Sequence, residues 1–223
     1  MSYLAFYNDT DELKLVIKNT NFVAIKFTPE LFNLNDWRNY FMPNGCIKHQ
    51  MEFVAGRICA KLAINKLTGL DLWLTKNNLG LPNFPSNLCG SISHSKNYAA
   101  ALIGKNNNWH SLGVDIEQIM SFKRANLIKD KILTKAELQN LPIDTKRLVT
   151  YVTLIFSLKE SIYKALYPLV LKSLSWHSVQ IIFSGNLVRV ELLDNSLIDF
   201  QHKITAYIQI IDNKVLTAIS IDN

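Results

Sequence analysis

No stretch of this 223-residue sequence is long and apolar enough to cross a bilayer as a helix. The longest uncharged apolar run, Leu148 to Leu158, falls well short of the roughly 18 residues such a span requires. Cysteine is scarce: Cys46, Cys59 and Cys89 are the only three, and none belongs to a C-x-x-C pair. Their odd number and spacing argue against a disulfide framework or a metal cluster and leave three reduced thiols used as small apolar residues. Residues 1–12 carry neither a basic n-region nor an apolar h-region, so no secretory signal is expected and a cytoplasmic location is. With 48% apolar and 19% charged residues, the chain is neither a disordered tail, a coiled coil nor a collagen. Acidic residues are the minority charge: 18 Asp plus Glu against 24 Lys plus Arg leave a net +6. That excess points to an anionic partner, whether nucleic acid, an acidic protein or a phosphate-rich ligand, without choosing among them.

What is present is mixed helix and strand. Asn21 to Phe27 reads as a strand from its β-branched and aromatic content. Ile47, Met51, Val54, Ile58 and Leu62 recur at helical spacing over 47–68, with Gly69 placed to stop the helix. Ser91-Ile-Ser-His-Ser95 leads into a buried strand over 98–103, and Ser111 to Glu117 forms the next. Helical pattern covers 121–133, and Thr134-Lys-Ala-Glu137 matches a capping box. A long helix over 148–166 is closed by Pro168. Four alternating runs follow at 177–183, 187–193, 202–211 and 214–221, with hairpin turns at 184–186 and 212–213. The expected architecture is α+β with two similar subdomains, 1–111 and 112–223.

Four segments invite chemistry. In Gly113-Val-Asp-Ile-Glu117, Asp115 and Glu117 share one strand face, where two repelling carboxylates suit a hard divalent cation. A strand exposing one polar face accounts for the same pattern. In Phe156-Ser-Leu-Lys-Glu-Ser-Ile-Tyr-Lys164, Glu160 and Lys164 lie four apart on an otherwise apolar helix. A third carboxylate would complete a magnesium site, and the lysine one turn on would reach phosphate; a surface ion pair is the plain alternative. Ser91 to Ser95 places hydroxyls and His94 where an oxyanion could bind, or where they satisfy their own backbone. Finally, Glu52-Phe-Val-Ala-Gly-Arg57 carries a mid-helix glycine, which fits close approach of a backbone, a ligand or a packed neighbour.

Together and in order, these segments resemble the 4′-phosphopantetheinyl transferases, specifically the surfactin-synthetase and enterobactin-synthetase activating type. That family carries G-[VI]-D-[IV]-E followed a little over forty residues later by [WF]-S-x-K-E-[AS]-x-x-K; here Glu160 stands forty-five positions after Asp115. Its enterobactin-type members add E-[FYH]-x-A-G-R and G-S-I-S-H-S upstream, matching residues 52–57 and 90–95. The resemblance implies a pseudo-twofold fold with coenzyme A bound between the halves, nucleotide contacts in the first subdomain, and magnesium and carrier-protein docking in the second. It implies Asp115, Glu117 and Glu160 as magnesium ligands. Arg57, His94 and Ser93 would contact the coenzyme A phosphates, Lys164 the pyrophosphate, and the loop at Pro82 the adenine side. Leu81 departs from the basic residue common in the family, and Phe156 replaces a common tryptophan while keeping an aromatic ring.

The implied reaction is attack by a carrier-protein serine on the β-phosphorus of coenzyme A, with adenosine 3′,5′-bisphosphate leaving. Glu160 is the expected general base, directly or through a metal-bound water, with Glu117 left open as the alternative. The partner is an acidic acyl or peptidyl carrier protein, docking near residues 115–135 where Lys123, Arg124, Lys129 and Lys131 lie. The client pathway expected is siderophore or other nonribosomal peptide synthesis, with fatty-acid and polyketide carriers open, and the enzyme is expected to be a monomer. The main competing reading is a coenzyme A-binding interaction module that has lost catalysis, which the three retained carboxylates disfavour. A magnesium-dependent phosphohydrolase leaves the Arg57 and His94 segments unexplained. A nucleic-acid-binding module predicts a basic stripe or an RNP-type strand, and neither is visible.

Overall fold

Apolar side chains recurring along residues 47–68 draw that segment into one helix laid over an antiparallel sheet. The computed structural model describes residues 8–9, 13–28, 46–185 and 187–223. It divides into two units, Met1–Asn108 and Trp109–Asn223. The first contains β1 (Asn8–Asp9), β2 (Thr20–Lys26), α1 (Ile47–Thr68), β3 (Leu88–Ser95) and β4 (Tyr98–Lys105), its sheet ordered β1-β2-β4-β3. Helix α1 buries Val54, Ile58 and Cys59 against Val23, Ile25, Ala101 and Ile103 of the sheet. It ends as expected at Gly69, which takes the left-handed conformation (φ 79°) and donates its N–H to the Asn65 carbonyl. Residues 91–95 are more than a lead-in. They belong to β3 itself, hairpinned to β4 with Ser95 opposite Tyr98 and Lys96 at φ 53° in the turn.

The second unit contains β5 (Trp109–Gln118), α2 (Phe122–Ile132), α3 (Lys135–Gln139), α4 (Thr145–Val170), β6 (Val179–Ser184), β7 (Leu187–Leu192), β8 (Ile204–Ile211) and β9 (Lys214–Asp222). Strands β5-β9-β8 form an antiparallel sheet and β6-β7 a separate hairpin. Residues 109–111, grouped with the first subdomain in the sequence reading, therefore belong to the second unit as the start of β5. Helix α4 buries Val152, Ile155, Ile162 and Leu166 in the same core as Val215, Ile219 and Ile221 of β9. Pro168 does not close it. The missing N–H affects only the last turn, and the helix runs on to Val170 before Leu171 turns left-handed (φ 50°) and donates to the Tyr167 carbonyl. The Thr134–Glu137 capping box is present at α3. Gln201 acts on an edge strand: its side-chain amide donates to the Val190 carbonyl (2.8 Å) and accepts from the Leu192 N–H (2.7 Å).

Candidate active site

Strand alternation turns Gly113, Asp115 and Glu117 toward α4 and sends Val114 and Ile116, both buried, to the opposite face of the sheet. A Cβ on Gly113 would be driven into the Ser161 carbonyl oxygen and would stand 3.1 Å from the Ala165 Cβ. Glycine here is what lets α4 lie low on the strand. At that spacing Lys164 Nζ donates to Asp115 Oδ1 (2.7 Å) and to the Val114 carbonyl (3.2 Å). From the turn before, Ser157 Oγ donates to Asp115 Oδ2 (2.8 Å). Asp115 is 3% exposed, so the segment is not an exposed polar face.

Glu160, half-buried on α4, completes an electrostatic group. Burial pushes its carboxyl above the ordinary glutamate range; the Lys164 ammonium partly offsets this and the Asp115 carboxylate adds to it. Glu117 is half-buried at the end of the same strand face. Among the described residues no three His, Cys, Asp or Glu side chains stand close enough to hold a metal ion. The structure thus couples Asp115, Glu160 and Lys164, and does not gather Asp115, Glu117 and Glu160 into a cage. The physical reason is charge: three carboxylates repel one another, and Asp115 turns to the ammonium within reach. The donor chemistry fits a hard divalent cation, since it consists of carboxylate oxygens, one of which already draws a cation to 2.7 Å.

Beside Glu160 lies a cavity of about 210 Å³ lined by Ile162, Tyr163, Leu174, Ser175 and Trp176. Phe156 stacks on Trp176 with ring centroids 5.4 Å apart, so the departure from tryptophan keeps aromatic packing. Lys159, which sequence reasoning passed over, is a structural centre. Its ammonium is 3% exposed as a residue and donates to Glu137 Oε2 (2.7 Å) and to the carbonyls of Ile132 (2.7 Å) and Trp176 (3.0 Å). Glu137 also accepts from the N–H groups of Thr134 and Ile181, both at 2.7 Å. The capping-box pattern marked Glu137, but nothing in the sequence paired it with a lysine twenty-two positions on.

In the first unit, Arg57 lies with its guanidinium 4.5 Å from the centroid of the Phe53 ring, and Lys76 Nζ lies 4.8 Å from the same centroid. Arg57 is 7% exposed, burial pushes its pKa down to about 10, and its Nε has no hydrogen-bond partner among the described residues. A buried N–H left in this way is costly until an acceptor meets it, which favours an anion here. Lys76 was not singled out from sequence. Its signal was its place in the turn-rich loop, where it forms a β-bridge with Pro82. Asn77 Oδ1 shapes that loop by accepting from the N–H groups of Leu79 (2.9 Å) and Leu81 (3.0 Å). His94 Nδ1 stands 3.6 Å from Glu52 Oε2, and Glu52 also meets Lys48 at 3.8 Å. Ser93 is buried, and alternation turns its side chain to the face of β3 opposite His94. The mid-helix Gly56 is explained by packing: a Cβ there would stand 2.7 Å from the Ile92 Cγ2.

Helix α2 carries the remaining predicted group. Lys123, Arg124 and Lys131 are exposed and Lys129 half-buried, beside the exposed apolar side chains of Phe122 and Leu127.

Two family profiles match the chain: the 4′-phosphopantetheinyl transferase N-terminal domain over residues 40–104 and the 4′-phosphopantetheinyl transferase superfamily over residues 111–217. The 4′-phosphopantetheinyl transferase PptT of Mycobacterium tuberculosis is 28% identical over 156 residues, covering 67% of this chain and 68% of that protein. Enterobactin synthase component D of Escherichia coli is 35% identical over 118 residues, covering 53% of this chain and 55% of that protein. The chain thus spans about two thirds of the length of the first relative and about half of the second. A more distant likeness is to the holo-[acyl-carrier-protein] synthase of Thermotoga maritima, at 18% identity and a TM-score of 0.40, covering 50% of this chain and 62% of that one. With the two profiles accounting for most of both units, the chain belongs to the 4′-phosphopantetheinyl transferase superfamily, as a transferase of the enterobactin synthase component D type.

Proposed function

We propose that this enzyme transfers the 4′-phosphopantetheine arm of coenzyme A to a serine hydroxyl of an apo acyl or peptidyl carrier protein, releasing adenosine 3′,5′-bisphosphate. The observation that carries the reading is the buried Asp115 carboxylate held between Lys164 and Ser157 beside a half-buried Glu160. Bound magnesium, held by Asp115 and Glu160 with Glu117 as the third carboxylate, would supply Lewis-acid neutralisation of the pyrophosphate.

The chain's own groups then have distinct roles. Glu160, its carboxyl pushed up by burial, accepts the proton as the serine oxygen forms its bond to the β-phosphorus. Lys164 pairs with the pyrophosphate oxygens and stabilises the charge that develops as the phosphoanhydride bond breaks. The cavity at Ile162, Tyr163, Leu174 and Trp176 takes the slender pantetheine arm and excludes water from it. In the first unit, Arg57, with its unpartnered Nε, Lys76 and His94 bind the 3′-phosphate, and the loop at Pro82 meets the adenine side. The exposed Lys123, Arg124 and Lys131 attract an acidic carrier protein, complementary to the net +6. The enzyme is read as a cytoplasmic monomer serving a siderophore or nonribosomal peptide synthetase; no helix among the described residues is long and apolar enough to cross a membrane.

The test is incubation of the purified protein with coenzyme A, magnesium and apo carrier proteins of peptide, polyketide and fatty-acid origin, read by intact mass. The expected result is a phosphopantetheine adduct on a carrier of the peptide class. No adduct on any carrier overturns the reading, and an adduct confined to fatty-acid carriers overturns the client assignment.

A further inference from the structure

Behind Asp115 lies a row of three hydroxyls, all fully buried: Ser157, Thr217 and Ser161. Thr217 sits directly opposite Asp115 in the β5–β9 register, and the two serines project from successive turns of α4. Ser157 Oγ is 2.8 Å from Asp115 Oδ2 and 2.9 Å from Thr217 Oγ1, which is 2.6 Å from Ser161 Oγ.

Counting protons fixes the first bond of this row and gives each of the others two acceptors. A carboxylate only accepts, so the single Ser157 hydroxyl proton goes to Asp115. Ser157 Oγ can then only accept from Thr217, whose proton lies between that oxygen and the Ser157 carbonyl, both 2.9 Å away. Ser161 in turn donates to Thr217 Oγ1 at 2.6 Å or to its carbonyl at 3.2 Å. Where Thr217 and Ser161 donate to the neighbouring hydroxyl oxygens, the donors run in sequence toward Asp115 and each bond polarises the next. Alanine or valine would fill the same space without any polar requirement, so packing alone does not call for three hydroxyls.

We propose that the Ser161–Thr217–Ser157 row is a positioning device for Asp115, holding Oδ2 so that Oδ1, on the Lys164 side, is the oxygen that receives a cation. The inference rests on the reading of Asp115 as a cation-holding carboxylate. Outer-shell partners of this kind set the affinity of the ligand they orient.

The test titrates Mn2+ into the full chain with coenzyme A present, counts free ion by electron paramagnetic resonance, and follows folding by circular dichroism. Thr217→Val should weaken Mn2+ binding about tenfold, Thr217→Ser should bind as the parent does, and Ser157→Ala should match Thr217→Val. Ser157→Ala carries the test alone if Thr217→Val does not fold. Parental affinity in a folded Ser157→Ala, or in a folded Thr217→Val, overturns the positioning role. A parent that binds no Mn2+, or an Asp115→Ala variant that binds as the parent does, overturns the cation reading itself and this inference with it.

Discussion

Lys164 and Asp115 stand 2.7 Å apart, ammonium on carboxylate, across a helix–strand contact that residue 113 permits only by having no side chain. The pair joins two of the four sequence segments that carry the family resemblance, one on β5 and one on α4. It also makes the geometry of the site sensitive to how deeply α4 sits on the sheet.

Gly113→Ala should therefore damage both fold and activity. The added methyl meets the Ser161 backbone rather than a flexible side chain, so α4 must shift. The expected loss is about 1–3 kcal/mol in urea denaturation, together with most of the transfer rate. An unchanged denaturation midpoint would place α4 further from β5 than described.

Breaking the Lys159–Glu137 pair should cost more. Lys159→Met leaves Glu137 buried without its charge partner, for an expected loss of about 3–5 kcal/mol. The double variant Lys159→Met/Glu137→Met should recover part of that loss, which a double-mutant cycle in denaturant would measure.

Glu160 predicts a pH dependence of stability in magnesium-free buffer. Its folded-state pKa is raised above the ordinary 4.5, so the folded chain holds this proton more tightly than the unfolded chain. The contribution is fully present below 4.5 and is lost as pH rises through the raised value. Glu160→Gln lacks this term. Its thermal midpoint should gain on that of the parent from pH 4 to pH 8, and parallel curves would contradict the burial argument.

Arg57→Ala and Lys76→Ala should each raise KM for coenzyme A by about tenfold or more, as loss of a hydrogen bond to a charged group does. Neither should alter KM for dephospho-coenzyme A. Equal effects on both substrates would move these residues away from the 3′-phosphate.

Charge reversal at Lys123, Arg124 and Lys131 should lower kcat/KM for an acidic carrier protein about tenfold at low salt, with the difference shrinking as salt is added. Rates of transfer to a small peptide acceptor should hold. A loss independent of ionic strength would point to damage at Asp115 and Glu160 instead.

Much of this was legible in the residues. Helical spacing delivered α1 to its exact ends, and Gly69 stopped it for the reason a left-handed stop needs glycine. Type and spacing single out Asp115, Glu160 and Lys164, which the fold brings into one electrostatic group. Long-range pairings were not legible. Lys159 reads as a surface lysine in a helix motif until the fold brings Glu137, Ile132 and Trp176 around it. Lys76 is one lysine among many until a loop bridge carries it to Phe53. Proline marks a stop in the sequence because it breaks helix interiors, but α4 continues two residues past Pro168 to Val170 and gives up one backbone bond near its end. The family motif names Ser93 together with His94, and strand alternation places their side chains on opposite faces of β3.

The Gln201 amide has a consequence for how this protein behaves at high concentration. An uncovered strand edge is a template on which another polypeptide can extend the ladder. By engaging Val190 and Leu192 of β7 with one side chain, Gln201 imitates the first bonds such an intruder would make and occupies them. The same chain thus supplies a partner for two backbone groups of this edge, from nine and eleven positions downstream.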